Sequence, residues 1–208
     1  MRLLVVAATV KEAEALGCHA VDVVVSGIGR TNAAAATTAA LLEQGPYRGV
    51  LSVGIAGALP DASLQPGDVV VADACVYMEE GLSTPDGFVD TAAMGFPLGD
   101  FAGNRVPVDA RLTRFLAGPL RRGAIATVAT CSGTDALADE VRRRTAALAE
   151  AMEGAAVVHA ALRLGIPGGE VRVISNSTGD RASQRWDMPR AVAALHALGA
   201  QLDAHARG

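Results

Sequence analysis

"GVLSVGIAGAL", residues 49–59, is apolar on both of its alternating faces. A strand with one face in water alternates apolar and polar residues, whereas a strand covered on both sides reads as a nearly continuous apolar run. Five further runs have the same character: 3–8 ("LLVVAA"), 21–27 ("VDVVVSG"), 67–77 ("GDVVVADACVY"), 123–130 ("GAIATVAT") and 169–176 ("GEVRVISN"). Each is rich in β-branched residues and bounded by glycine or polar residues. Ala-rich helical stretches lie between several of them. Residues 31–45 are expected to form a helix capped by Gly45, and 155–165 a helix ending at Gly165 with Pro167 beyond. The last helix is expected from Pro189 to about Ala206, with Asp187 as N-cap and Pro189 in its first turn. Alternating strands and helices with such strands make an α/β sandwich around a largely buried sheet.

The 208 residues suffice for one full-sized core and are read as a single domain, 1–208. Half are hydrophobic but only 3% aromatic, and the net charge is -4. With no basic stripe and few stacking side chains, nucleic acid is not an expected partner. The N-terminal apolar run is broken by Lys11 and Glu12, too early for a membrane span or a signal peptide. Cys18, Cys75 and Cys131 form no CxxC pair and read as reduced thiols, so a cytoplasmic location is expected. Histidines at metal-ligand spacing, HExxH, GxSxG and a P-loop are all lacking, and neither a metal nor a cofactor is expected. The loop-rich stretch 78–107 is the one long irregular segment, and such loops are usually functional.

Several short motifs each allow two readings. "SGIGRTNAA" (26–34) lacks the third glycine of a dinucleotide fingerprint and reads as a tight turn before a helix N-terminus that favours anions. "VGIAGAL" (53–59) is either an ordinary strand end or a place where a ligand approaches the backbone. Glu12 completes a capping box with Thr9 or serves chemistry. Glu153 caps a helix or projects into a site. Asn176 ends a strand or reads a ligand, and Trp186 is core or pocket.

In their order along the chain, Glu12 after the first strand, "SGIGRTNAA", "VGIAGAL", "GDVVVAD", "CSG", "MEGAA" and "VISNSTGD" resemble the nucleoside phosphorylase/nucleosidase superfamily. The resemblance covers essentially the whole chain and is strongest to nucleosidases of 5′-modified nucleosides. It implies a three-layer α/β/α sandwich of the phosphorylase/hydrolase type with a central mixed, twisted sheet. It further implies a nucleoside substrate, N-glycosidic cleavage, and a homodimer or higher homo-oligomer. Glu12 would hold and activate water, Met152 would pack on the ribose, and Glu153 would bind its hydroxyls. Asn176 would face the purine, with Gly54, Ile55, Ala56 and Ser132 also contacting substrate. Phe88, with Met78, Met94 and Phe96, would line a 5′ pocket; the residue meeting a carboxylate there is left open, with Arg105 as a candidate.

Two departures from the superfamily pattern refine this. Ser52 stands where related phosphorylases carry a phosphate-clamping arginine, leaving Arg30 and Arg105 as substitutes outside any phosphorylase motif. Water is therefore the expected nucleophile. Asn176 stands where adenine-releasing nucleosidases carry an aspartate. Its NH₂ suits the paired acceptors of a 6-oxopurine, so an inosine-type substrate releasing hypoxanthine is expected. Asp180 is a candidate helper for the leaving base, or else a salt-bridge or turn residue. A purine nucleoside phosphorylase, a methylthioadenosine-type nucleosidase and a non-catalytic nucleoside sensor remain as alternatives.

Overall fold

Alternate side chains of the strand Leu4–Ala7 (β1) divide between two cores, Leu4 and Val6 in one, Val5 and Ala7 in the other. That division is the period-two rule applied to a sheet covered on both faces. The computed structural model describes residues 2–208. After β1 come α1 (Val10–Leu16), β2 (Asp22–Val25), α2 (Arg30–Glu43), β3 (Val50–Ala58) and β4 (Val69–Tyr77). A hairpin follows, β5 (Gly81–Thr84) and β6 (Gly87–Asp90), then β7 (Arg105–Pro107), β8 (Leu120–Thr127) and α3 (Asp135–Thr145). The chain ends with β9 (Ala149–Ala151), α4 (Gly154–Arg163), β10 (Gly168–Ser177) and α5 (Met188–Arg207).

The sheet is mixed. β3 runs parallel to β1 and β10 and antiparallel to β9, while β4 is antiparallel to β10 and parallel to β8. Because β8 also pairs with β9, strands β3, β10, β4, β8 and β9 close into a ring, with β1 and β2 extending from β3. Helices α2 and α4 bury Ala33, Ala40, Leu41, Ala155 and Val158 against one face. Helices α1 and α5 bury Leu16, Leu195, Leu198 and Leu202 against the other. This is the expected sandwich, with the closing pairing β3–β10 as an addition that the strand pattern did not reveal.

The last helix starts as expected: the Asp187 side chain accepts from Arg190 N–H, and proline occupies its first turn. The end of α2 differs. It closes at Gln44 in ordinary right-handed geometry, so Gly45 is not its cap. The stretch 78–107 is also less irregular than expected, since it holds the β5–β6 hairpin and β7. Among the described residues no helix is long and apolar enough to cross a membrane.

Helices α1 and α5 approach so closely that a Cβ at Gly199 would overlap the carbonyl oxygen of Leu16. Small-to-large changes in a packed interior cost about 1–3 kcal/mol, and a rigid backbone partner puts this one at the upper end. Gly199→Ala should therefore destabilise the chain by about 3 kcal/mol in urea unfolding. An unchanged midpoint would show that the α1–α5 contact relaxes.

Candidate active site

A cavity of about 620 Å³ opens at the ends of β1, β3, β9 and β10. Glu12, Ile55, Ala56, Gly57, Ser132, Met152, Glu153 and Asn176 all line it. Seven of the nine site residues drawn from the sequence are thus brought together from distant parts of the chain.

For Glu12 the two readings are both correct. Its Oε2 accepts from the N–H and the hydroxyl of Thr9, each at 2.9 Å, completing the capping box of α1. Its Oε1 accepts from Ile55 N–H at 2.9 Å, which ties the carboxylate to β3. The cap therefore aims the carboxylate along the cavity wall. Glu153 occupies the N-cap position of α4 but makes no capping bond. Its Oε1 accepts from Gly29 N–H at 3.0 Å. Gly29 adopts φ 95°, a conformation open to glycine, and so turns its N–H toward Glu153 at the start of α2. The anion that the "SGIGR" turn attracts is the chain's own carboxylate.

Behind both carboxylates lies Arg172, 1% exposed. Its Nε donates to Glu170 Oε1 at 2.8 Å, and its Nη2 donates to Ser52 Oγ at 2.8 Å and lies 3.4 Å from Glu153 Oε2. Burial opposes the guanidinium charge, but Glu170, Glu153 and Glu12 outweigh it and raise the Arg172 pKa above its ordinary value. Burial also pushes Glu170 up, partly offset by Arg172. β-Sheet register builds this cluster, since Arg172 faces Gly54 and Glu170 faces Ser52 across β10 and β3. A Cβ at Gly54 would overlap Glu12 Oε1 and sit 2.7 Å from Arg172 Nη1. Gly54 does not line the cavity; its role is to leave room for the contact beneath it, not to approach a ligand.

Asn176, Gly57 and Glu150 form one row across β10, β3 and β9. The Asn176 Oδ1 accepts from Ser175 Oγ and its Nδ2 donates to Ser177 O, both at 2.8 Å. Glu150, which the sequence reasoning missed, lines the cavity on the other side of Gly57. It accepts from Ser132 N–H at 2.7 Å and Ser132 Oγ at 2.6 Å. Burial raises its pKa, against the lowering effect of the two Ser132 donors. The available signal was a lone carboxylate in "LAEAM" two residues before Met152, an inward position for a short strand. Trp186 faces Asn176 in an isolated bridge and is half-exposed at the rim, so it is pocket and not core.

The expectations for 78–107 need correction. Phe88 lies beneath the Arg144 guanidinium, 3.6 Å from carbon to ring centre, in a separate cavity. Met78 is buried in a third core cluster, and Met94 and Phe96 are exposed. None of them lines the cavity of Glu12; its apolar wall comes from α1 and α5, through Ala15, Met188, Val192 and Leu195. Arg105 pairs with Asp73 and Arg30 with Glu79 and Glu80, so neither replaces a phosphate clamp. Asp180 exchanges hydrogen bonds with Asp135 at the start of α3, outside the cavity, which makes it a turn residue.

The phosphorylase superfamily model matches residues 14–202. The chain belongs to the phosphorylase superfamily. Within this superfamily it is 43% identical to the futalosine hydrolase of Acidothermus cellulolyticus over 188 residues, 86% of this chain and 74% of that protein. It is 38% identical to the futalosine hydrolase of Streptomyces coelicolor over 180 residues, 84% of this chain and 74% of that one. In fold, it resembles the 5′-methylthioadenosine/S-adenosylhomocysteine nucleosidase of Neisseria meningitidis in complex with methylthio-immucillin-A. That match has a TM-score of 0.76, at 21% identity over 98% of this chain and 99% of the other.

The raised pKa of Glu150 gives this cavity a pH signature. A carboxyl whose folded pKa lies above its usual 4.5 binds more protons folded than unfolded. Its contribution to stability is then fully present below 4.5 and is lost as pH rises through the folded value. Glu150→Gln, which keeps an acceptor and a donor for Ser132, removes that loss. The variant should gain stability relative to the parent as pH increases across this window. A difference independent of pH in unfolding titrations would contradict the assignment.

Proposed function

We propose that this chain is a futalosine hydrolase. It uses water to cleave the N-glycosidic bond of a 5′-extended inosine-type nucleoside, releasing hypoxanthine and dehypoxanthine futalosine, a step of menaquinone biosynthesis. The observation that carries this reading is the charge at the sugar end of the cavity. Glu12 and Glu153 present carboxylates there, while Arg172 behind them is spent on Glu170, Glu153 and Ser52. A phosphate nucleophile would meet two carboxylates whose buried arginine is already engaged, whereas a water meets a base.

Cleavage passes through an oxocarbenium-like transition state with positive charge on the ribose. Glu12 accepts the proton of the attacking water, and the carboxylates of Glu12 and Glu153 stabilise the developing charge in a site of low dielectric. Glu153 also takes the ribose hydroxyls, and Met152 packs against the sugar. At the other end, the Asn176 amide reads the O6/N7 edge of hypoxanthine. Across Gly57, Glu150 is the buried carboxyl group suited to carry a proton toward the leaving base. A methylthioadenosine-type reading lacks the aspartate at 176 that would accept from the adenine amine while donating to N7. A sensor has no need of a water-activating carboxylate. The same reading places the enzyme in the cytoplasm as a homodimer.

Glu12→Gln should lower kcat by about 10²–10⁴ while hypoxanthine still binds, because only the proton acceptor is removed. Asn176→Asp should shift preference from 6-oxopurine toward 6-aminopurine nucleosides. Full turnover in the first variant removes Glu12 from the water-activating role, and unchanged base selectivity in the second removes Asn176 from base reading.

A further inference from the structure

Lysine occurs once in the 208 residues, at position 11. In every other place where the chain needs a basic side chain other than histidine it uses arginine. Lys11 stands in the first turn of α1, where the helix dipole disfavours a cation, so helix stability does not explain it. Its side chain is exposed, lines the cavity, and makes no ion pair among the described residues. One helical turn on from Lys11 is Ala15, and beside it α5 contributes Met188, Val192 and Leu195 at i, i+4 and i+7. The result is an apolar wall with a flexible point charge at its edge.

The other cations near the site are engaged. Arg172 is buried in its carboxylate cluster. Arg181 lies over the Trp186 ring at 5.1 Å and donates to Gln184 Oε1 at 2.9 Å, and Gln184 in turn holds Ser132 O, all at the base end. The remaining titratable groups lining the cavity are Glu12, Glu150, Glu153 and Cys131, none of which attracts an anion.

We propose that Lys11 is the specificity-determining residue for the carboxylate of the substrate's 5′ tail. The carboxyphenyl group of futalosine lies along the α1–α5 wall and ends on the Lys11 ammonium. The assignment replaces Arg105, which lies in the other cavity and pairs with Asp73. It rests on the hydrolase reading above.

The test compares futalosine with its carboxylate methyl ester on the parent enzyme and on Lys11→Gln, Lys11→Arg and Arg181→Gln. Cleavage by the parent without phosphate tests the hydrolase reading; the acid-to-ester ratio of kcat/KM tests Lys11. The ratio should fall about tenfold in Lys11→Gln, through KM, the size expected for one hydrogen bond to a charged group. Lys11→Arg should retain most of it. Should the parent turn neither compound over, equilibrium binding of acid against ester to the same proteins gives the same comparison. A ratio unchanged in Lys11→Gln, or lost in Arg181→Gln instead, overturns the proposal.

Discussion

The guanidinium of Arg172, taken out of water between β3 and β10, is the constraint on which the site depends. A lone buried charge is untenable, so it must be surrounded by carboxylates and hydrogen-bond acceptors. Glu170 Oε1 on the same strand and Ser52 Oγ on β3 both accept from it. Glu153 completes the pairing from the start of α4, and Glu12 Oε1 shares with Arg172 Nη1 the space that a side chain at Gly54 would fill. The cluster explains several choices that look unrelated in sequence. Residue 52 is a hydroxyl because it must accept from Arg172, and residue 54 is glycine because any side chain would displace Glu12. At Gly154, a Cβ would overlap the Glu170 carboxylate. Two carboxylates are thereby held at one end of the cavity with part of their charge met from behind, and in the proposed reaction this leaves the front for a cationic transition state.

The other end of the cavity works on hydrogen-bond type in place of charge. Gly57 sits in the row between Asn176 and Glu150, where a Cβ would meet Thr178 Cγ2 at 2.7 Å, and Ser132, Gln184 and Trp186 form a connected set of bonds beside it. In the proposed reaction this buried amide and buried carboxyl discriminate between purines because a mismatched edge leaves polar groups unpaired, a penalty of orders of magnitude in selectivity. The two ends of the cavity thus share β3 and β10, so one shift of either strand would move both.

Much of this was legible in the chain. The six apolar runs are all strands, because covered strands carry a strong β-branched signal; and Asp187 with Pro189 marks the start of α5. Glu12, Met152, Glu153 and Asn176 converge as the resemblance implied. Helix α3 escaped notice because it buries only Ala138, Val141 and Thr145, a stripe too thin to show among its charges. β9 is three residues long, so Glu150 had no recognisable strand to sit on. The Arg172 cluster depends on register between β3 and β10, strands more than a hundred residues apart, and local pattern carries no such information. The misassigned 5′ wall has a similar cause. Long loops drew attention to 78–107, while the wall is formed by two helices whose apolar residues looked like ordinary core.

The central claim is that carboxylates balanced by a buried arginine make water the nucleophile and an amide makes the base a 6-oxopurine. Hypoxanthine release from futalosine in phosphate-free buffer, with and without added phosphate and beside methylthioadenosine, tests both halves at once. The account predicts release from futalosine without phosphate, no stimulation when phosphate is added, and little cleavage of methylthioadenosine. Release that requires phosphate would contradict it.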